Sequence, residues 1–256
     1  MPGEHVPSEH VPSEHVPSEH AVVTGGSSGI GLAVVRRLMK RGLTVTVLDM
    51  QAPPDDVPRA YRIDVTDEAK VREALAETAR AAGTPTRLVT CHGVRGEFKP
   101  ALELDLDTYR RVLDVHLVGT LVTARSLVAG MLEAGLGGGS IVTISSTTAY
   151  GGWRDQADYG VAKAAIEQLT QNLAIEWAPH GVRVNAVAPG HTLTPMVQEM
   201  VDKEGYDLSA TEARMPLGRL CTPDEMAAAI EFMLLDATFS TGVRMPVDGG
   251  WTVVGK

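Results

Sequence analysis

From Ala21 onward, short apolar runs alternate with longer stretches in which apolar residues recur every three or four positions. The runs at 21–23, 44–48, 59–63, 87–91, 140–144, 182–187 and 243–247 predict strands. The periodic stretches at 30–40, 67–82, 106–134, 158–177, 195–203 and 222–235 predict helices, with a bend near Gly119. Thr66 is the expected N-cap of the second helix. Thr222-Pro223-Asp224-Glu225 carries a capping box with proline at the first helical position. Strands separated by helices of this length require crossover connections, and hence parallel pairing. The strands are continuous apolar runs rather than alternations, the pattern of a sheet covered on both faces. The fold class is therefore α/β, a doubly wound parallel sheet with helices on both faces. Pro53-Pro54 leaves no room for a helix between the second and third strands, so a loop is expected there.

Residues 1–20 break this pattern. The unit Glu-His-Val-Pro-Ser begins at Glu4, Glu9 and Glu14, and a truncated copy ends at Glu19-His20. Proline every fifth residue removes backbone donors, and no apolar period remains to be buried. The chain is thus expected to divide into an extended tail over 1–20 and one domain over 21–256. The tail histidines, His5, His10, His15 and His20, are metal-ligand types, but their spacing fixes no common face, and no metal site is expected.

Composition narrows the function classes. The 256 residues are 44% hydrophobic and 21% charged, which suits a packed core. A net charge of −9 counts against a nucleic-acid or anionic-membrane surface. No apolar run reaches the length of a membrane span, and no basic-then-apolar leader opens the chain. Cys91 and Cys221 alone form no disulfide framework. A soluble protein with a cytoplasmic address is expected.

Candidate chemistry lies at three places. Thr24-Gly25-Gly26-Ser27-Ser28-Gly29-Ile30-Gly31 joins the first strand to the first helix. Glycines there bring the backbone N–H groups of Gly25 to Gly31 close to a ligand phosphate at a helix N-terminus. Asp49 ends the second strand, where a carboxylate accepts hydrogen bonds from an adenosine ribose diol and repels a 2′-phosphate. No Arg or Lys lies in the glycine turn or directly after Asp49, which favours NAD over NADP. Tyr159 and Lys163 stand four apart at the start of a helix, one turn apart on the same face. A neighbouring ammonium favours the phenolate, which makes Tyr159 a candidate general acid/base. Ser146 lies thirteen residues earlier, just past a strand end, where its hydroxyl could hold a substrate oxygen.

With these motifs the chain resembles the short-chain dehydrogenase/reductase family, of classical type, from Ala21 to about Trp251. The family's Thr-Gly-x-x-x-Gly-x-Gly turn is similar to Thr24–Gly31, its Asp-Val to Asp64-Val65, and its Tyr-x-x-x-Lys to Tyr159 and Lys163. Its Pro-Gly is similar to Pro189-Gly190 and its terminal Asp-Gly-Gly to Asp248-Gly249-Gly250. The resemblance implies a single Rossmann-type domain and a hydride transfer between a nicotinamide and a secondary alcohol or diol, or the corresponding ketone. It implies Tyr159 as acid/base, Lys163 on the nicotinamide ribose lowering the tyrosine pKa, and Ser146 on the substrate oxygen. Asp64, Val65, Gly93, Pro189, Gly190, Thr192 and Thr194 are the further cofactor contacts that it implies. It also implies a homotetramer built on the helices at 106–134 and 158–177. Ile166, Leu169, Leu173 and Ile175 on the latter exceed one core-facing stripe.

Two positions depart from the family pattern. Cys91-His92-Gly93 stands where Asn-Ala-Gly is usual; Cys91 is expected to be inert, and His92 to reach the adenosine side or the neighbouring helix. His116 stands where asparagine is usual, and either replaces it in a proton relay, titrating near neutrality, or packs as a structural histidine. Substrate contacts are expected from Trp153, Met196, Arg154 and His191, with the segment 191–216 as a lid. Rival readings are an NADPH-dependent ketoreductase of the 3-oxoacyl type and a catalytically silent dinucleotide-binding scaffold.

Overall fold

The computed structural model describes residues 19–205 and 207–254. Its strands are β1 (His20–Thr24), β2 (Thr44–Asp49), β3 (Ala60–Arg62), β4 (Arg87–Thr90), β5 (Ser140–Ile144), β6 (Arg183–Pro189) and β7 (Arg244–Val247). They form one parallel sheet in the order β3-β2-β1-β4-β5-β6-β7. The helices are α1 (Gly29–Lys40), α2 (Glu68–Ala82), α3 (Leu106–Leu113), α4 (Gly119–Glu133), α5 (Tyr159–Trp177), α6 (Pro195–Glu204), α7 (Ser209–Arg214) and α8 (Pro223–Glu231). Chain direction across the sheet reverses between β1 and β4, so a crevice opens at their carboxyl ends.

Two apolar layers hold the sheet. Val23, Val47, Val89 and Val142 face α1 and α8, against Val34, Leu38, Met226 and Ile230. Val22, Leu48, Leu88 and Ile141 face the opposite way, against Val71, Leu127, Met131 and Leu173 of α2, α4 and α5. Neighbouring residues of one strand thus serve opposite layers, which is why the strands read as unbroken apolar runs. Truncating Leu38 or Leu88, both fully buried, to alanine costs about 2–5 kcal/mol. Residues 50–59 contain no helix, as the proline pair requires.

The strand pattern starts one residue earlier than expected. His20 belongs to β1 and pairs with Thr44. Its Nδ1 donates to Gly83 O at 2.9 Å and its Nε2 accepts from the Thr46 hydroxyl at 2.9 Å. Glu19 pairs with Arg87. The last Glu-His of the repeat is therefore part of the folded body rather than of a tail. The copies from Glu4 to Ser18, with His5, His10 and His15, lie outside the described residues.

Two helix boundaries also differ. Asp67, not Thr66, caps α2, accepting from Lys70 N at 3.2 Å; Thr66 instead donates to Asp64 Oδ1. Between α3 and α4 the chain forms a π-helical turn, Asp114–Val118, which is the irregularity expected near Gly119. Gly119 is small for another reason: a Cβ there would come within 2.7 Å of Val65 Cγ2. The continuous span Leu106–Glu133 is long and apolar enough to cross a membrane, but 56% of its most apolar stretch is buried inside the fold. The capping box of α8 forms as expected, with Thr222 and Glu225 satisfying each other's backbone N–H.

Candidate active site

The glycine turn leaves β1 and enters α1 at the crevice. Gly25 has φ +65°, and a Cβ there would strike the His92 backbone at 2.6 Å. Gly31 is tighter still, since a Cβ would lie 2.0 Å from Gly25 O. No acidic residue occupies the first turn of α1, and the Ser28 side chain makes no cap bond. The first-turn N–H groups of α1 thus form a cradle for an anion. Asp49, at the end of β2, pins the turn: its Oδ2 accepts from Ser27 N and its Oδ1 from Gln51 N, each at 2.9 Å. These residues fit an adenine dinucleotide.

Arg62 is the neighbour that local sequence does not reveal. It pairs in register with Asp49 across β2 and β3, and its Nε donates to Met50 O at 3.0 Å. A basic residue is therefore Asp49's partner on the neighbouring strand, although none directly follows Asp49 in the chain. Asp64 is already engaged by Arg111 at 2.8 Å and by Thr66. Burial pushes the Asp64 carboxyl up, but Thr66 and Arg111 outweigh it and hold the pKa at about 2. Val65 is buried against Gly119.

Ser146, Tyr159 and Lys163 meet at the carboxyl end of β5. Ser146 caps the short 3-10 turn Thr147–Ala149, accepting from Thr148 N at 3.2 Å. Asp158, 1% exposed, starts α5 by accepting from Tyr159 N at 2.6 Å. Its other oxygen accepts from Glu97 N at 2.8 Å and so ties the loop after β4 to the Tyr159 turn. Sequence reasoning passed over Asp158; its place directly before Tyr159 was the available signal. Lys163 is buried, its Nζ donates to Ile144 O at 2.8 Å, and it lies 5.5 Å from the Tyr159 ring centroid.

Electrostatics here depart from expectation. Burial pushes the Tyr159 phenol up to about 12, and a hydrogen bond with Ser146 opposes this. Proximity to Lys163 does not bring the phenol below its ordinary value, because desolvation dominates. Burial also brings the Lys163 ammonium down to about 8. Burial pushes the Cys91 thiol up to about 12, leaving it the inert thiol expected.

Both unusual histidines turn inward. His92 bridges β1 and the π turn: Thr24 Oγ1 donates to its Nδ1 at 2.5 Å and its Nε2 donates to Val115 O at 3.0 Å. It reaches the neighbouring helix, not the adenosine side. Burial and the Lys163 charge bring its pKa down to about 4. His116 is 2% exposed and donates from Nε2 to Val94 O at 2.8 Å. Its ring meets Tyr159 edge-on, with centroids 5.3 Å apart, and its Nδ1 is buried with no partner among the described residues. Burial and the Lys163 charge bring its pKa down to about 2, so it stays neutral and does not titrate near neutrality.

Across the crevice, the loops after β5, β6 and β7 bring together Trp153, His191 and Trp251. The indoles stack with centroids 5.4 Å apart, and His191 lies 4.7 Å from Trp251. The Arg214 guanidinium, from the end of α7, lies 3.9 Å over the Trp251 ring. Arg154, expected to face the substrate, instead points to solvent with a side chain 92% exposed, beside Asp155; Met196 is half-exposed. Thr192 is buried and donates to Gly190 O, which lies at the end of β6 after Pro189. Thr194 caps α6 and packs near Gly29 of the glycine turn, which links the 191–216 segment to the cradle. Among the described residues no cluster of three or more His, Cys, Asp or Glu could hold a metal.

Comparison with known proteins agrees with this architecture. A family model described as enoyl-(acyl carrier protein) reductase matches residues 25–252. The chain is 39% identical to the cis-4-hydroxycyclohexanecarboxylate dehydrogenase of Sinomonas cyclohexanicum, over 91% of this chain and 96% of that protein. It is 37% identical to the L-tagatose-forming galactitol 2-dehydrogenase of Cereibacter sphaeroides, over 91% and 94% respectively. The ligand-free aldohexose dehydrogenase of Thermoplasma acidophilum superposes with a TM-score of 0.86 at 28% identity, covering 93% of this chain and 95% of that one. ElxO with NADP bound also gives 0.86, at 26% identity, covering 93% and 100%. The chain belongs to the short-chain dehydrogenase/reductase family of dinucleotide-binding oxidoreductases.

Proposed function

We propose that this protein is a dehydrogenase that oxidises a small secondary alcohol or diol with NAD. The observation that supports this most is the convergence of Ser146, Tyr159 and buried Lys163 at the carboxyl end of β5, beside the glycine cradle. The relatives whose names specify hydroxycyclohexanecarboxylate and galactitol support a secondary-alcohol substrate. The turn from Gly25 to Gly31 would hold the pyrophosphate, Asp49 the adenosine ribose, and Tyr159 and Lys163 the nicotinamide ribose. Asp64, Val65, Gly93, Pro189, Gly190, Thr192 and Thr194 would complete that site. When bound, the nicotinamide supplies the hydride acceptor.

Ser146 donates a hydrogen bond to the alcohol oxygen and so orients its carbon. Tyr159, as phenolate, takes the hydroxyl proton onto Oη. Lys163, anchored on Ile144 O, presents positive charge to that developing negative charge and favours the phenolate. His116 packs against the Tyr159 ring and fixes its angle, while Trp153 and His191 flank the substrate. A screen of secondary alcohols, diols and sugars with NAD tests this reading; no turnover across the panel overturns it.

A second reading, an NADPH-dependent ketoreductase, is favoured by one observation, the basic Arg62 as Asp49's register partner, with its Nε on Met50 O. Parallel turnover with NAD and NADP separates the two. We also propose a cytoplasmic homotetramer. Ile166 and Leu173 of α5 are buried in the core, but Ile175 is 76% exposed and Val161 47% exposed on the outer face of the helix. Clefts of about 380 and 500 Å³ border that face, one lined by Tyr150, Val161 and Ala164, the other by Gln171 and Ile175. Sedimentation of the wild type beside Ile175→Glu tests the assembly.

A further inference from the structure

Trp153, His191, Arg214 and Trp251 come from four separate segments, and each contacts another member of the group. They stand at the carboxyl edge of β5, β6 and β7, the edge that also carries Ser146 and Tyr159. Trp251 is 7% exposed and packs with Met215 and Leu220, so its indole is a fixed platform. Arg214 is exposed, and its guanidinium carbon lies over that indole, 3.9 Å from the ring centroid, a cation held on an aromatic face. No carboxylate among the described residues forms an ion pair with Arg214. Beside it, His191 Nδ1 is buried with no hydrogen-bond partner among the described residues. His191 Nδ1 thus lacks a partner beside an exposed guanidinium that no described carboxylate holds, and one ligand group can serve both. In the tautomer with the proton on His191 Nδ1, a carboxylate accepts from both groups, whereas a neutral hydroxyl leaves the guanidinium charge unmatched. The indoles beneath would accept aliphatic carbon between that carboxylate and the reacting alcohol.

We propose that Arg214 and His191 recognise a carboxylate on the substrate, so that the protein acts on a hydroxy acid whose apolar, ring-sized skeleton lies against Trp153 and Trp251. This rests on the alcohol dehydrogenase reading and adds to it a charged specificity determinant. The geometry of a bidentate Arg–carboxylate pair gives the preference its size, about tenfold to a hundredfold between an acid and its neutral ester.

The test compares 4-hydroxycyclohexanecarboxylate with its methyl ester, using the full chain and NAD. The wild type is expected to favour the acid by at least about tenfold in kcat/KM, chiefly through KM. Arg214→Gln is expected to lower kcat/KM for the acid at least about tenfold more than for the ester, with Arg214→Lys between. Equal wild-type values for acid and ester, or equal losses in Arg214→Gln, overturn the proposal. A binding measurement separates it from the catalytic reading. Tryptophan fluorescence of Tyr159→Phe, titrated with acid and ester, reports occupancy without turnover. Saturable quenching by the acid that is lost in Tyr159→Phe/Arg214→Gln supports the site even if no alcohol is oxidised. Quenching that is identical in the two variants overturns it.

Discussion

On the β1–β3 side of the crevice the surface is made of backbone: the turn from Gly25 to Gly31, drawn in by Asp49 through two N–H groups 22 residues and two residues away. On the β5–β7 side it is made of side chains, with Trp153, His191, Arg214 and Trp251 each touching another of the group. A backbone surface recognises a ligand common to a whole family, since any sequence that permits the turn will serve. A side-chain surface can be rewritten one residue at a time, so it is the side on which substitution can change the ligand without disturbing the turn. Between the two lie Ser146, Tyr159 and Lys163, held from below by Asp158 and the β4 loop.

Substitutions can test that division, beginning with the centre. Tyr159→Phe is expected to lower kcat about 10³-fold while leaving cofactor affinity, measured by titration, within a few-fold. Ser146→Ala is expected to cost about 10²-fold and to move the rise of alcohol oxidation with pH to higher pH. The sign follows from the phenol: oxidation needs phenolate, burial holds the pKa at about 12, and Ser146 is the group drawing it down. A pH–rate profile of the variant that superposes on the wild type removes that role for Ser146.

Next in size is the backbone side. Asp49→Asn is expected to shift the NADP-to-NAD ratio of kcat/KM upward by about tenfold or more, because a carboxylate facing a 2′-phosphate is lost and Arg62 remains. Adding Arg62→Ala should remove most of the gain. If the double variant keeps it, Arg62 has no part in cofactor choice.

His92 tests whether the two sides are braced independently. Its pKa is 6.5 unfolded and about 4 folded, so the unfolded chain takes up a proton that the folded chain refuses. Stability is complete above about pH 6.5 and falls as the pH drops towards 4, by about 3 kcal/mol for this group alone. Thermal melts between pH 7.5 and 4.5 should show the fall, and His92→Asn should flatten it. The smallest effect is expected at His116. A ring held neutral down to about pH 2 adds no inflection between pH 5 and 8, so His116→Asn should change the height of the pH–rate profile by less than about tenfold and leave its shape alone. A changed shape would restore His116 to the relay.

Much of this was legible in the chain, and the division above explains which part. The glycine turn, Tyr159 with Lys163, and the alternation of strands and helices in a parallel sheet follow from contiguous residues and periodicity. Arg62 was not legible as Asp49's neighbour because strand register, not chain proximity, brings them together. The Arg214–Trp251 contact spans 37 positions and depends on how two loops fold over the sheet, and Arg154 drew attention only because it adjoins Trp153. Burial decides the tyrosine and histidine protonation states, and burial of an individual side chain has no local signature. His20 was hidden by the repeat that precedes it, since the residue that completes β1 looks identical to three that stand earlier.

The widened turn at Asp114–Val118 has one more consequence. A π turn is a helix carrying a surplus residue, so the angle at which His116 meets Tyr159 is set by a count of residues as well as by their kinds. Deleting one of the five would restore regular helix and leave α3 and α4 close to their present faces, because the turn already absorbs the surplus residue. The residues inside the turn would shift instead, and the His116 ring would leave its present seat. The wall beside Tyr159 would thus change with the loss of one residue even if every remaining side chain were kept.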